Sequence, residues 1–225
     1  MKTYISFIIF TLHILLGYSQ SSPENKLGSW YMFDGTHKVS EKWSVKTGVQ
    51  LRSFEVTDNI NLLFLYTGAN YHLNKSILLT LAYCYLDIDR SYALTGETHL
   101  YENRPYEQIS YKHQLLQLPI YHRLRLEHRF LNYRHDHTIL NRVRYRIGTK
   151  IKLSKTVFVN LNNEFFANLK DDVFTENRLV GTFGFNLSKT TNIQLGYMNH
   201  KLNGLNLHRL QVGLYLKTDF TKKKP

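Results

Sequence analysis

From Leu124 to Phe130 the chain reads LRLEHRF, with Arg125, Glu127 and Arg129 on alternate positions and Leu124, Leu126, His128 and Phe130 between them. Successive side chains of a β-strand point to opposite faces, so this stretch, if extended, carries one charged face and one largely apolar face. From residue 27 onward the whole chain follows such alternation, broken by turn residues and without a convincing helical period. The pattern predicts eleven strands at 27–37, 42–55, 59–72, 76–87, 107–117, 120–132, 138–152, 156–168, 176–187, 191–201 and 206–219. Each is about ten residues or longer, which is what a tilted strand needs to cross a hydrocarbon layer.

The faces are clearest over the five consecutive segments from 120 to 201. One side collects Leu124, Leu126, Phe130, Val143, Tyr145, Ile147, Val157, Val159, Leu161, Phe165, Leu179, Phe183, Phe185, Ile193, Leu195 and Tyr197. The other collects Arg123, Arg125, Glu127, Arg129, Arg142, Arg144, Arg146, Lys150, Asn160, Asn162, Glu164, Arg178, Thr182, Asn192, Gln194 and His200. In a soluble, lipocalin-like barrel the apolar side would point inward; in a membrane barrel the two sides swap.

Three features favour the swap. The polar side is rich in Arg and Asn with isolated glutamates, groups suited to hydrogen-bonded networks in a confined interior. Aromatic residues make up 14% of the chain, and Trp43, Tyr71, Tyr106, Tyr121 and Tyr197 fall near segment ends, where interfacial girdles lie. The strands also use nearly all of the chain after residue 20, leaving little for a lid. The connections alternate as well. Tight turns are expected at Val39-Ser40-Glu41, Asn74-Lys75, Leu118-Pro119, Ser154-Lys155 and Lys189-Thr190. Looser loops are expected at Arg134 to His137, Lys170 to Glu176, Lys201 to Gly204 and, longest, Ile88 to Pro105. The expected fold is therefore an all-β, antiparallel up-and-down transmembrane barrel of about ten to twelve strands. An odd count poses a problem, because single-chain bacterial barrels normally have an even number. Residues 20–27 threading the interior or hiding a further strand, or a first segment outside the wall, would resolve it.

Charge and composition narrow the partners. The formal net charge is +12, but the 29 Lys and Arg are interleaved with apolar residues, which argues against a nucleic-acid-binding arm. With a single cysteine, Cys84, no intramolecular disulfide and no cysteine-based zinc framework is available. The opening MKTYISFIIFTLHILLGYSQ has a basic start, an apolar run and small residues at Gly17 and Ser19, the form of a secretory signal cleaved after Ser19. The expected layout is a signal peptide at 1–19 and a barrel domain at 20–225. Its expected partners are outer-membrane lipids and, during insertion, the barrel-assembly machinery.

The strongest candidate chemistry is an interior-facing polar network of Arg123, Arg125, Glu127, Arg129, Arg142, Arg144, Arg146, Glu164 and Arg178. Charges on the inner wall of a small barrel must be paired or hydrated, so the network either fills the barrel or attracts anions into it. Glu127 and Glu164 are the counter-charges this alternation supplies. A lipid-modifying enzyme is the rival class, with His128 or His113 on the lipid-facing side. No serine falls in a matching outward position, Ser110 lies on the other face, and there is no GxSxG-like stretch. The triplet His135-Asp136-His137 offers too few ligands for a closed metal site and reads as loop, as do Asp171-Asp172 and GETHLYENRP. No catalytic residue, metal or cofactor is assigned.

The succession GSWYMFDGTHKVSEKWSVKTGVQLRSF, ENRPYEQISYKHQL, HRLRLEHRF, NRVRYRIGTKI, NNEFFANL and TENRLVGTFGFNLSKTTNIQLGYMNH resembles domain of unknown function 2490, an uncharacterised family of bacterial outer-membrane barrels. The resemblance implies a β-barrel in the outer membrane and implies no activity. QVGLYLKTDF, with Gln211, Gly213, Leu216 and Phe220, resembles the terminal assembly signal of such proteins, here followed by TKKKP. The expected role is a non-enzymatic outer-membrane barrel, either structural or a passage for small, anionic solutes. The alternatives are a lipid-modifying barrel enzyme and a soluble periplasmic barrel that carries an apolar ligand.

Overall fold

A computed structural model describes residues 23–91, 99–170 and 174–221. The expected signal segment, the centre of the long loop at 92–98, Asp171 and Asp172, and the tail from residue 222 lie outside the described residues. A short 3-10 turn at Pro23–Asn25 precedes eleven strands. They are β1 Leu27–Lys38, β2 Trp43–Ser53, β3 Ile60–His72, β4 Ile77–Asp89, β5 His99–Leu115, β6 Leu118–Tyr133, β7 Asp136–Lys152, β8 Val157–Asn168, β9 Phe174–Asn186, β10 Thr191–Leu202 and β11 Leu205–Asp219.

All sequential neighbours pair antiparallel, and the sheet closes by pairing β1 with β11 in parallel, from Leu27 opposite His208 to Lys38 opposite Asp219. The expected antiparallel up-and-down β-barrel is thus observed with eleven strands and one parallel pair at its seam. With an odd number of alternating strands the first and last run the same way, so closure demands one parallel pair. Segment 27–37 is part of the wall, and no hidden strand is needed to close it.

Sequence explains one rim well. Four of its five turns repeat one pattern: VSEKW at 39–43, LNKSI at 73–77, LSKTV at 153–157 and LSKTT at 187–191. In each, the Ser or Asn side chain accepts a backbone N–H from two or three residues ahead, as Ser154 Oγ does from Val157 at 3.0 Å and Ser188 Oγ from Thr191 at 3.0 Å. The backbone of the same residues closes a tight loop onto the next strand, for example Leu153 N to Val157 O at 3.0 Å. These side chains do locally what the ladder would otherwise do, which ends one strand and starts the next.

The opposite rim is tighter than expected. The connections β6–β7 and β10–β11 are two-residue turns, made possible by positive φ at Arg134 (53°), Asn203 (47°) and Gly204 (84°). The Leu118-Pro119 turn is also displaced, because Leu118 and Pro119 already belong to β6 and the turn is Leu116-Gln117, with Leu116 at φ 56°. The largest correction concerns the long loop. Strand β4 runs to Asp89 and β5 begins at His99, so the ENRP stretch, Glu102 to Pro105, is strand. Pro105 has no N–H to give, and the β5–β6 register is interrupted at Arg104-Pro105, which is why the segment looked like a loop.

Outward positions on every strand carry large exposed apolar groups, among them Leu51, Leu65, Leu81, Ile109, Leu124, Leu161, Phe183, Leu195 and Leu214. The interior is divided. Leu62, Phe64, Ala82, Cys84, Leu86 and Tyr106 of β3, β4 and β5 form one buried apolar cluster, and Trp30, Val180 and Met198 form a second. Charged groups occupy the space between them.

Candidate functional site

The alternation that puts Arg and Glu on one side of β6 and β7 brings like charges face to face. Arg125 stands opposite Arg144 and Arg123 opposite Arg146 in the ladder. Direct like-charge pairs destabilise a sheet, and three of these side chains turn elsewhere: Arg144 to Glu127 and Glu164, Arg125 to Gln108 and Glu127, and Arg123 past β7 to Glu164. Glu127, fully buried, accepts Arg142 through Nη2 at 2.7 Å and Nε at 3.0 Å, and lies 2.5 Å from Arg144 Nη1. Arg125 Nη1 is 3.5 Å away and Arg104 Nη1 4.0 Å. One carboxylate thus sits within ion-pair reach of four guanidinium groups from three strands.

The remaining glutamates extend this centre. Glu164 on β8 takes Arg144 Nη2 at 2.8 Å and also Arg123. Glu176 on β9 takes Arg178, Arg142 at 3.4 Å and His200 at 2.6 Å. Glu102 on β5 holds Arg129 through Nε at 2.7 Å and Nη2 at 2.9 Å, and Arg104 through Nε at 2.6 Å. The result is a continuous ionic chain from β5 to β9, joined to β10 by the His200–Glu176 hydrogen bond.

Aromatic rings complete it. The Arg125 guanidinium lies 3.9 Å from the Tyr106 ring centroid while its Nε and Nη2 donate to Gln108 at 3.0 and 2.7 Å. Arg144, Arg178 and Arg142 surround Phe166 at 4.4, 4.5 and 4.9 Å, and Arg52 stacks on Trp30 at 3.6 Å. Cation–π contacts of this kind gain strength where water is scarce.

All nine residues singled out in the sequence as a polar network point into the barrel. Arg123, Arg125, Arg129, Arg142, Arg144, Arg146, Glu164 and Arg178 line a cavity of about 1670 Å³, and Glu127 is buried behind Arg142 and Arg144. Eight of the nine are joined by ion pairs, whereas Arg146 makes none among the described residues. The counter-charges number more than Glu127 and Glu164, since Glu102 and Glu176 each hold two arginines of the network as well. Arg52 and Arg104 were also missed. The signal for two of them was present: Glu102, Arg104, Tyr106 and Gln108 form a period-two polar run, masked by Pro105 and by neighbouring turn-forming residues. Tyr106 is likewise no girdle residue but is buried in the interior under Arg125.

The outward histidines are placed differently. His113 stacks on His122 with ring centroids 5.0 Å apart, between Tyr111 and Tyr145. His128 contacts Asn141 through Nδ1 at 2.8 Å and Glu107 through Nε2 at 3.2 Å. Among the described residues neither ring meets a hydroxyl or thiol nucleophile, and Ser110 bonds to Gln108 inside the barrel. No group of His, Cys, Asp and Glu able to hold a metal occurs among the described residues.

No curated protein and no solved structure matches the chain. A family described as protein of unknown function, DUF2490, matches residues 27–211, and that stretch contains the ionic network and ten of the strands in full. The chain belongs to this family.

Proposed function

We propose that this protein is an outer-membrane β-barrel without enzymatic activity, whose charged interior braces the wall and admits small anionic solutes. The observation that carries the reading is the sidedness of the wall. Each of the eleven strands exposes a large apolar side chain outward, from Tyr31 on β1 to Leu214 on β11, while Glu102 and Glu127 are fully buried inside. An apolar band around a whole circumference far exceeds what soluble monomers expose and suits acyl chains. A carrier of apolar ligands would need the reverse arrangement.

The interior supports the second half of the proposal. Its cavity touches residues of both rims, Asn74 and Ser76 at one end and Thr175 and Asn203 at the other, and arginines outnumber carboxylates along it. Guanidinium forks favour phosphate and carboxylate groups over cations.

Fractionation of cells expressing the full chain tests the location. The protein is expected in the outer-membrane fraction, extractable only with detergent, and recovery from the soluble periplasm would refute the reading. In planar bilayers the folded chain is expected to conduct with a preference for anions, a preference reduced by Arg125→Gln and Arg144→Gln.

A further inference from the structure

The carboxylates are not spread evenly along the interior. Glu102, Glu127 and Glu176 stand in the half nearer the rim where β4 and β5 are joined. Beyond Glu164, toward the rim of repeated four-residue turns, Asp34 is the one carboxylate lining the cavity among the described residues, against Lys46, Arg123, Arg146, Lys150 and Lys217. Arg123 and Arg146 are directly opposite each other on β6 and β7, and Lys46, near the start of β2, interacts electrostatically with both Arg123 and Arg125. Lys150 and Lys217, near the ends of β7 and β11, lie within reach of each other's charge.

The acids present are already engaged. Asp34 is held by Lys46 Nζ at 3.2 Å and by the Tyr66 hydroxyl. Glu164 is divided between Arg144 and Arg123, and it also faces Arg146 across the β7–β8 ladder without forming an ion pair with it. Arg146 forms neither an ion pair nor a side-chain hydrogen bond among the described residues, and the buried Arg123 Nε has no partner. Asn160, Asn162 and Thr182 line the same part of the cavity with neutral polar groups, and the opening beyond carries Lys75.

We infer that the turn-rim half of the interior is a binding site for a compact multivalent oxyanion, seated between Arg123, Arg146 and Lys46. Confining like charges is costly, and a bound anion supplies counter-charge beyond that of Asp34 and Glu164, which these cations outnumber. Guanidiniums from neighbouring strands present planar forks that engage separate oxygens of one ligand, so an ion with several charged groups is preferred to chloride. The lysines at the opening draw such an ion from this side, an effect that weakens with salt. This inference rests on the reading of the interior as a hydrated barrel lumen.

The test is calorimetric titration of the detergent-folded full chain with inorganic tripolyphosphate. Saturable binding of one ion per chain is expected, weakened about tenfold or more by combining Arg146→Gln with Lys46→Gln. Arg209→Gln, which alters a cavity arginine on β11 near the other rim, is expected to bind as the unaltered chain does. Without probe, Arg146→Gln alone is expected to be at least as stable as the unaltered protein, because it removes a confined charge, and to lose the melting shift that tripolyphosphate gives. Absence of saturable heat, equal loss in Arg209→Gln, or no effect of the paired change overturns the site. If the chain fractionates to the outer membrane but binds no tripolyphosphate, the inference falls and the barrel reading stands; binding by a chain found in the soluble periplasm does the opposite.

Discussion

Glu127 grips Arg142 through two nitrogens, at 2.7 and 3.0 Å, from the ladder position directly opposite it. This pair is the one place in the facing runs of β6 and β7 where opposite charges meet across the ladder, and the remaining arginines arrange themselves around it. Glu127 is the carboxylate these side chains share, although Arg142, Arg144 and Arg104 also reach Glu176, Glu164 and Glu102 in turn.

Replacing that carboxylate is expected to be severe. Glu127→Gln leaves several buried guanidiniums short of charge, and a cost of about 3–5 kcal/mol is expected for breaking such a pair. Urea unfolding of the detergent-folded barrel measures it. Adding Arg142→Met is expected to recover part of the loss, because it removes one of the stranded cations. A cost below about 1 kcal/mol for the single change would show the network to be well hydrated and weakly coupled.

A second prediction concerns the inner surface of β2. A Cβ on Gly48 would lie 2.1 Å from Tyr66 Cζ, so the ring occupies the space a side chain would need. Tyr66 in turn ties β3 to Asp34 on β1 across β2. Gly48→Val is expected to destabilise the barrel by about 1–3 kcal/mol through overpacking. Tyr66→Ala should relieve part of that cost when combined with it, and additive losses would argue against the contact.

Cys84 reports on closure of the wall. It is buried in the interior beside Phe64, Leu86 and Tyr106. A maleimide reagent is expected to leave it unlabelled in the folded protein over a period in which the urea-unfolded chain labels fully. Rapid labelling of folded protein would mean that β3, β4 and β5 do not pack as described.

The parallel seam can be tested by cross-linking. Phe33 and Leu214 are outward partners on β1 and β11. Neighbouring strands lie about 4.7–4.9 Å apart, within the range that a disulfide spans. In a Cys84→Ser background, Phe33→Cys with Leu214→Cys is expected to oxidise within one chain and to change its gel mobility. Failure to cross-link in folded protein would leave the barrel open between the first and last strands.

Much of this could be read from the chain and some could not. Alternation places Leu124, Val143 and Phe183 on one side and Arg125, Arg144 and Arg178 on the other, because a strand's period of two is a local property. The strand count followed from the same signal, as did four of the five tight turns on one rim. Where local cues conflicted, the reading failed. Pro105 and the polar residues around it imitate a loop, yet β5 pairs with β4 without a break from His99 to Tyr111. Long-range pairing outweighed local propensity there.

What the sequence determined by itself was sidedness and segment length, since both depend on residues close together in the chain. What only the tertiary structure decided was which distant groups meet. The parallel seam between Leu27–Lys38 and β11, the convergence of Glu102, Glu127, Glu164 and Glu176 on arginines from other strands, and the position of Arg146 between Arg123 and Glu164 all depend on register around a closed sheet. Closure imposes that register on the whole circumference at once, and no single strand's pattern encodes it.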